Sequence, residues 1–294
     1  MEKVFFPVLF FVYAAVMPAL EPVGTARGSI DWEKMELSFE ISLDLAESGN
    51  KLPAGRTASE AELNRLYPVL ARPVLEGLPV DSSSTVGSCI EEGRLDPSFT
   101  DDIAAMADDL PPFLSTDFRS IRSVYKLDIS AAATRITAQI SSRQGPALAE
   151  PPLNPADSGA YTGIIIIADG ELPIHGKRAA ALPLPSLAPK IWDSGMNLLF
   201  DRNKTQNGAI PFYYMDAENI FSSRPGGLSS GAEAVVGTNP LRIIAVEVFG
   251  ERPTDLVIAT TDAVKILSNE DNRRLLREGK LVIILNETVL KASF

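Results

Sequence analysis

The chain has 294 residues, of which 45% are hydrophobic and 22% are charged. At about 150 residues per domain this length predicts two domains, and the composition excludes disordered, collagen-like and multi-spanning membrane proteins. Because 38 acidic residues stand against 27 basic ones, the net charge is −11, which opposes a nucleic-acid partner. One cysteine and one histidine exclude an intramolecular disulfide and a zinc site of the usual Cys/His type.

The first 26 residues predict a secretory signal peptide. The run from Val4 to Leu20 carries no charge, and the small residues Gly24 to Ala26 follow it. Prolines shorten this run below the about 20 apolar residues of a membrane span, and an uncleaved N-terminal anchor is the alternative. The lipid-bearing cysteine of a bacterial lipoprotein is missing after the run. We therefore expect the mature protein in the periplasm or outside the cell, peripheral to a membrane at most.

Residues 27–143 predict an N-terminal α+β module whose strands are marked by alternation. Apolar and polar residues alternate from Glu36 to Leu45 and again from Ile121 to Ile129, which is typical of half-buried strands. A further strand is expected over Arg135 to Ser141, paired beside the second of these.

Two helices are predicted between these strands. A capping-box pattern that starts at Ser59 begins the first helix, and Pro68 and Pro73 are expected to kink or break it. Asp96 caps the second helix, whose apolar stripe consists of Phe99, Ile103, Met106 and Leu110. The other face of that helix carries the carboxylates Asp101, Asp102, Asp108 and Asp109. A solvated face is favoured over a calcium site, because that ion takes about six to eight convergent oxygens.

Residues 144–157 predict a proline-rich linker, and residues 158–294 a C-terminal α/β-type module with a mixed sheet. The β-branched run Ile164 to Ile167 is typical of a strand buried on both faces. The other expected strands are Lys190 to Asp193 and Leu198 to Phe200, which form a hairpin, then Arg242 to Phe249, Leu256 to Ala259 and a last strand, Leu281 to Leu285. Late helices are expected from Thr261 or Asp262 to Leu267 and from Asn272 to Arg277. The fold class is thus α+β, with two modules that each contain a small mixed sheet and one or two helices.

Distinctive segments follow one another in a fixed order. In the C-terminal half they are Tyr161 to Gly170, Leu187 to Asp193, Gly237 to Leu241, Thr254 to Ile258 and Leu276 to Ile284, and in the N-terminal half Asp31-Trp32, Ala58 to Val86 and Val124 to Ile129. Together they resemble the bacterial envelope family around flagellar assembly protein T and related envelope lipoproteins. The resemblance implies a non-catalytic periplasmic part and carries over no active-site residue. Asp169 to Glu171 departs from it, because the family more often has a basic residue there.

Gly227 to Gly231 matches a catalytic motif, the G-x-S-x-G nucleophile elbow, with Ser229 as the nucleophile. That chemistry needs a strand before the serine and a histidine base later in the chain, but His175 comes earlier. We therefore favour a flexible loop. His175 is expected to be an exposed loop residue rather than a pH-sensitive contact. Cys89 is expected to be a buried thiol rather than part of an intermolecular disulfide.

The sequence predicts an exported, non-catalytic structural or assembly component of the envelope, with no catalytic, cofactor-binding or metal-binding residue. Its expected partners are other envelope or flagellar basal-body proteins, and its oligomeric state is left open. The strands Glu36 to Leu45 and Arg242 to Phe249 are expected to offer sheet edges for strand addition. The alternatives are a secreted serine hydrolase that uses Ser229 and a small-ligand binding module with a largely apolar cavity of about 300 Å³ or more.

Overall fold

The structure is a computed structural model that describes residues 24–46, 48–49, 55–140, 146–204, 213–221 and 227–293. Most of the predicted signal peptide, residues 1–23, lies outside the described residues. The first described strand starts at Gly24, so cleavage after Ala26 would remove three residues from it. None of the described helices is long and apolar enough to cross a membrane.

The described strands form three sheets. In chain order they are β1 (Gly24–Asp31), β2 (Glu36–Asp44), β3 (Asp108–Asp109), β4 (Phe113–Leu114), β5 (Ser120–Asp128), β6 (Ile164–Ala168), β7 (Leu172–Pro173), β8 (Ala180–Ala181), β9 (Lys190–Asp193), β10 (Leu198–Asp201), β11 (Tyr213–Met215), β12 (Leu241–Phe249), β13 (Asp255–Ile258), β14 (Leu281–Leu285) and β15 (Lys291–Ser293). The described helices are α1 (Arg56–Gly77), α2 (Val86–Glu91), α3 (Phe99–Ala104), α4 (Ile129–Gln139), α5 (Ser230–Val236), α6 (Thr260–Leu267), α7 (Glu270–Arg277) and α8 (Glu287–Leu290). The predicted α+β class with two modules is confirmed, although each module has four described helices rather than one or two.

The first sheet has the order β15-β1-β2-β5-β3, with β4 also paired to β5, and every pair in it is antiparallel rather than mixed. The half-buried strands predicted from alternation are confirmed in β2 and β5. The apolar residues of β2 are buried, whereas its polar face carries Glu36 and Glu40, which pair with Lys126 and Arg122. One face of this sheet is therefore covered by the helices and the other contacts water.

The first predicted helix is confirmed as α1, but it begins at Arg56 and Ser59 does not cap it. The Ser59 hydroxyl is buried and donates to the Gly55 carbonyl. Pro68 and Pro73 lie inside this helix, so the predicted break is wrong. Both prolines face solvent, and so do the residues four positions earlier, whose carbonyls each proline leaves without an intrahelical donor. Carbonyls on this exposed side are within reach of water, which can take the place of the missing donors, while the opposite face packs on the sheet.

The second predicted helix is shorter in the structure than the sequence pattern indicated. Its counterpart α3 ends at Ala104, and Met106 and Leu110 are exposed instead of continuing a buried stripe. Asp108 and Asp109 form β3 against β5, where Asp108 lies opposite Lys126. Aspartate is a weak helix former and an opposite-charge pair across strands is favourable, so strand pairing prevails. The four carboxylates predicted on one helix face are therefore divided between a helix and a strand.

The strand predicted over Arg135 to Ser141 is wrong, because the described part of this segment belongs to α4. The Asp128 side chain accepts from the Ser130 N–H and caps the helix. Ile129, Ala132 and Ile136 are buried at helical spacing, and the alanines favour a helix. Helix α2 was not predicted at all, although Thr85 and Ser88 form a capping box at its start.

The second sheet is mixed, as predicted, with the order β10-β9-β13-β12-β6-β14-β11. The run Ile164 to Ile167 is confirmed as a buried interior strand, with parallel neighbours on both sides. The hairpin of β9 and β10 and the strands β12 and β13 are also confirmed. However, β2 and β12 are interior strands, so neither offers the free edge that we expected for strand addition.

The two modules share one hydrophobic core and one sheet. A continuous cluster of buried apolar side chains includes Leu37 of the first module and Ile243 of the second. The strand Leu281 to Leu285 is not the last, because the chain continues through α8 into β15, which pairs with β1 of the first sheet. Trp32 and Tyr214 also meet edge to face, with ring centroids 6.1 Å apart. The modules therefore form a single packed body.

Candidate functional site

A loop of the N-terminal module, Val80 to Ser84, lies against the C-terminal module. Three backbone hydrogen bonds hold this loop and its N-terminal flank: Leu187 to Pro79 (2.9 Å), Ala188 to Val80 (2.7 Å) and Arg252 to Ser82 (3.0 Å), with the first residue as donor in each. Gly250 makes this contact possible, because a Cβ at that position would lie 2.2 Å from the Ser82 Cβ. The loop thus packs closely against the C-terminal module at Gly250.

Asp81 and Lys190 form a nearly buried ion pair within this interface. The Lys190 Nζ donates to the Asp81 Oδ2 at 2.8 Å, and the other carboxylate oxygen accepts from the backbone and the hydroxyls of Ser83 and Ser84. Burial raises the pKa of the Asp81 carboxyl, but Lys190 and these hydrogen bonds outweigh burial and lower the pKa to about 2. The folded protein therefore stabilises the charged form of Asp81.

Asp255 lies on the other side of the same loop and is 1% exposed. Its Oδ2 accepts from the Ser82 hydroxyl at 2.9 Å and from the Trp192 indole at 3.2 Å. Burial raises the pKa of Asp255 to about 6, because Lys190 and these hydrogen bonds offset only part of the burial penalty and the Asp81 charge adds to it. A shifted carboxyl in an open cleft would indicate catalysis, but Ser82 fills the space in front of this one. Asp255 is thus part of the interface between the modules.

Sequence reasoning did not single out Asp81, Lys190 or Asp255. The position of Asp255 could have indicated a buried polar contact. Asp255 is the first residue of the buried strand β13, and a carboxylate next to such an apolar run needs hydrogen-bond or charged partners. The partners themselves lie far away along the chain, so the pattern predicts a buried polar group without identifying what it contacts.

The second sheet carries an exposed apolar patch, which we call the β12 patch and define as Phe221, Arg242, Ile244 and Val246. Ile244 is 67% exposed, Phe221 47% and Val246 38%. The Arg242 guanidinium lies over the Phe221 ring, 5.9 Å from its centroid, in a cation–π contact. The patch is a group of neighbouring side chains on one face of a rigid sheet.

The face that carries the β12 patch is covered only in part. Arg242 lies opposite Ile165 on the neighbouring strand β6, and directly paired residues share a face. Ile165 is buried in a cluster with Ala232 and Val236 of α5 and with Val282 of β14. Helix α5 therefore covers β6 and β14 and leaves Ile244 and Val246 of β12 in contact with water.

Ser229 caps α5 instead of occupying a nucleophile elbow. Its hydroxyl accepts from the Ala232 N–H, and its own N–H donates to the Ile220 carbonyl. Within the described residues no imidazole or carboxylate hydrogen-bonds to this hydroxyl. The structure therefore does not bring together the triad that the hydrolase alternative requires.

His175 lies in a turn, as expected, but it is half-buried rather than exposed. Its Nδ1 lies 2.6 Å from the Glu247 Oε2, and its ring meets Phe249 at 6.1 Å. The Glu247 carboxylate and the Phe249 ring hold the imidazole half-buried beside β12.

Cys89 is a buried thiol, as predicted, and burial raises its pKa. The described part of the chain contains no group of three or more His, Cys, Asp or Glu residues arranged to hold a metal ion.

Each of the two modules matches a known protein family. Residues 24–135 match the family of the Treponema pallidum Tp0624 N-terminal domain, and residues 163–287 match that of the Tp0624 second domain. The chain is similar to Tp0624 in both modules. The two matched domains follow one another in the same order as in Tp0624, and the match to the second domain ends at residue 287, before β15. No curated protein sequence matches the chain.

The similarity to Tp0624 indicates a bacterial family, which is the coarser part of the resemblance seen in the sequence. Neither match connects the chain with flagellar assembly protein T, so that part of the resemblance stays a prediction.

Proposed function

We propose that this protein is an exported, non-catalytic component of the bacterial envelope that binds another envelope protein through the β12 patch. The observation that carries the proposal is the 67% exposure of Ile244 on an interior strand, beside strands that α5 covers. Grouped apolar side chains in contact with water cost free energy in the unbound protein, and such patches mark interaction sites.

The interface between the modules supports the role of a rigid scaffold. The shared core, the strand β15 in the first sheet and the Asp81–Lys190 pair all oppose motion of one module relative to the other. A surface held on such a body loses little conformational freedom when a partner binds, which favours affinity.

The partner that fits the β12 patch is a different protein with an apolar contact surface that covers Ile244 and Val246. A second copy fits less well, because two chains that each carry a net charge of −11 repel one another. The sequence resemblance makes the flagellar basal body the first place to look for this partner.

Site-specific photo-crosslinking in intact bacterial envelopes tests the proposal. A photoreactive residue at position 244 is expected to give an adduct with one envelope protein, whereas the same residue at the exposed position 27, on β1 of the other module, gives none. An adduct of twice the chain's own mass would indicate a second copy and contradict the assignment. Equal labelling at both positions would show that the β12 patch is ordinary surface.

A further inference from the structure

A separate concave feature lies in the N-terminal module, and we call it the α1–α3 groove. It has a volume of about 350 Å³, which is in the range of sites for small ligands. The rings of Tyr67 and Tyr125 line it, stacked 4.1 Å apart at an angle of 10°, together with the buried Ala104. The groove therefore has an apolar and aromatic floor.

The polar groups of the α1–α3 groove are mainly hydrogen-bond acceptors. Asp101 and Asp109 lie on its rim, and Asn64 contributes an amide oxygen that accepts from the Tyr125 hydroxyl at 2.6 Å. Arg72 donates to Asp101 at 2.5 Å and so neutralises that charge in part. Asp109 has no ion pair within the described part of the chain and leaves the groove with a negative charge.

Tyr67 gives an independent indication that the α1–α3 groove binds a ligand. This residue is only 5% exposed, yet its hydroxyl has no hydrogen-bond partner among the described residues. A buried polar group without a partner is unfavourable and rare in folded proteins. Burial raises the pKa of Tyr67 to about 12, so the hydroxyl stays neutral, and a donor that reached it from the groove would satisfy its oxygen.

We infer that the α1–α3 groove binds an organic primary ammonium carried on a short apolar stem. An ammonium has three N–H donors and no acceptor, which matches a carboxylate, a hydroxyl oxygen and an amide oxygen. Its stem lies along the tyrosine rings while the charge stays near Asp109, as lysine side chains do on apolar surfaces. A metal ion fits less well, because the described residues contain no cluster of three ligating side chains.

Titration of the full mature protein with three small probes tests this inference by amide chemical shifts. The probes are 1,4-diaminobutane as a free amine, N-acetyl-lysine methylamide as a lysine side chain, and N-acetyl-norleucine methylamide as the neutral control. The ammonium probes are expected to shift the amides of Ala105, Ala107 and Asp109, and the neutral probe is not. A preference for the lysine probe over the diamine would identify a protein side chain as the natural source.

Two variants of adjacent aspartates test whether the carboxylate that lines the groove contributes to ammonium binding. Asp109→Asn is expected to weaken ammonium binding roughly fivefold, the effect of one exposed charge pair. The control Asp108→Asn removes the same charge from the neighbouring residue of β3, which points to the other face of the strand and does not line the groove. This variant is expected to leave ammonium binding almost unchanged.

Tyr67→Phe keeps the ring and should weaken binding without loss of folding. Equal binding of the neutral probe, or equal losses in the two aspartate variants, would overturn the inference. The β12 patch takes no part in these measurements, so their failure is distinct from failure of the proposed function.

Discussion

Ser82 donates a hydrogen bond of 2.9 Å to Asp255, a residue 173 positions later in the chain. This contact joins a loop of the first module to the first residue of β13 in the second. The bond is buried, and the neighbouring ion pair between Asp81 and Lys190 is nearly so. Stability measurements on this interface therefore report on how firmly the modules are joined.

Gly250→Ala is expected to destabilise the protein by about 3 kcal/mol, because the new methyl group collides with Ser82 and the backbone has a φ of +109°. Urea unfolding measures the change. Gly176→Ala is the matched control, since Gly176 also has a positive φ, +74°, but open space around it. Equal losses in the two variants would show that backbone strain alone, and not contact between the modules, is responsible.

Lys190→Met is expected to lower the free energy of unfolding by about 3 kcal/mol, because it leaves the Asp81 charge in a nearly buried position without its cation. The double variant Lys190→Met with Asp81→Asn should recover part of the loss, since no charge is then left unpaired. A double variant less stable than Lys190→Met would contradict this account of the pair.

The pKa of Asp255 predicts how stability depends on pH. Burial raises this pKa from 3.8 to about 6, so the folded protein binds more protons than the unfolded chain within that window. The contribution of Asp255 is therefore fully present below pH 3.8 and is lost as the pH rises through about 6. For Asp81 the pKa falls from 3.8 to about 2, so its contribution is present above pH 3.8 and is lost as the pH falls through about 2.

Asp255→Asn isolates the first of these effects. The amide oxygen can still accept from Ser82 and Trp192, but the side chain no longer titrates. Unfolding free energies of the variant and the wild type, compared between pH 4 and pH 7, should differ most at the upper end, where the wild type carries the buried charge. A variant that keeps the wild-type slope over this range would show that Asp255 does not titrate there.

Deletion of residues 291–294 is expected to expose the outer edge of β1. Strand β15 pairs with Ser29, Ile30 and Asp31, so amide hydrogen exchange at these positions should accelerate in the deletion variant. Amides at the centre of β6 serve as the internal control, because they lie in the other sheet. Unchanged protection at Ser29 to Asp31 would show that β15 does not pair there.

The spacing of apolar residues predicted strands such as β2, β5, β6 and β12. Burial of one or both faces of a strand requires apolar residues at regular positions, so these strands have a clear pattern in the sequence. It failed where tertiary pairing decides. Lys291 to Ser293 has no strand pattern of its own, and it forms β15 because the edge of β1 is available. Asp108 and Asp109 continue an apparent helix in the sequence but pair with β5 in the structure.

The candidate sites depend on contacts between distant segments, and these have no local signature. The exposed side chains of β12 alternate with buried ones as in any half-buried strand, so the sequence cannot show that α5 stops short of them. Thr162 and Asn239, from two of the segments that carry the resemblance, are joined by a hydrogen bond of 2.9 Å. Their order along the chain is visible in the sequence, but their proximity in space is not.

The proposed function requires the β12 patch to bind a partner protein. The most direct test measures how much of the envelope protein identified by crosslinking is recovered with the variant Ile244→Lys. The control is Val69→Lys, which places the same charge at a similarly exposed aliphatic position on α1. We predict that Ile244→Lys loses the partner while Val69→Lys retains it, with both variants unfolding at the wild-type temperature. Equal recovery of the partner by both variants would contradict the claim.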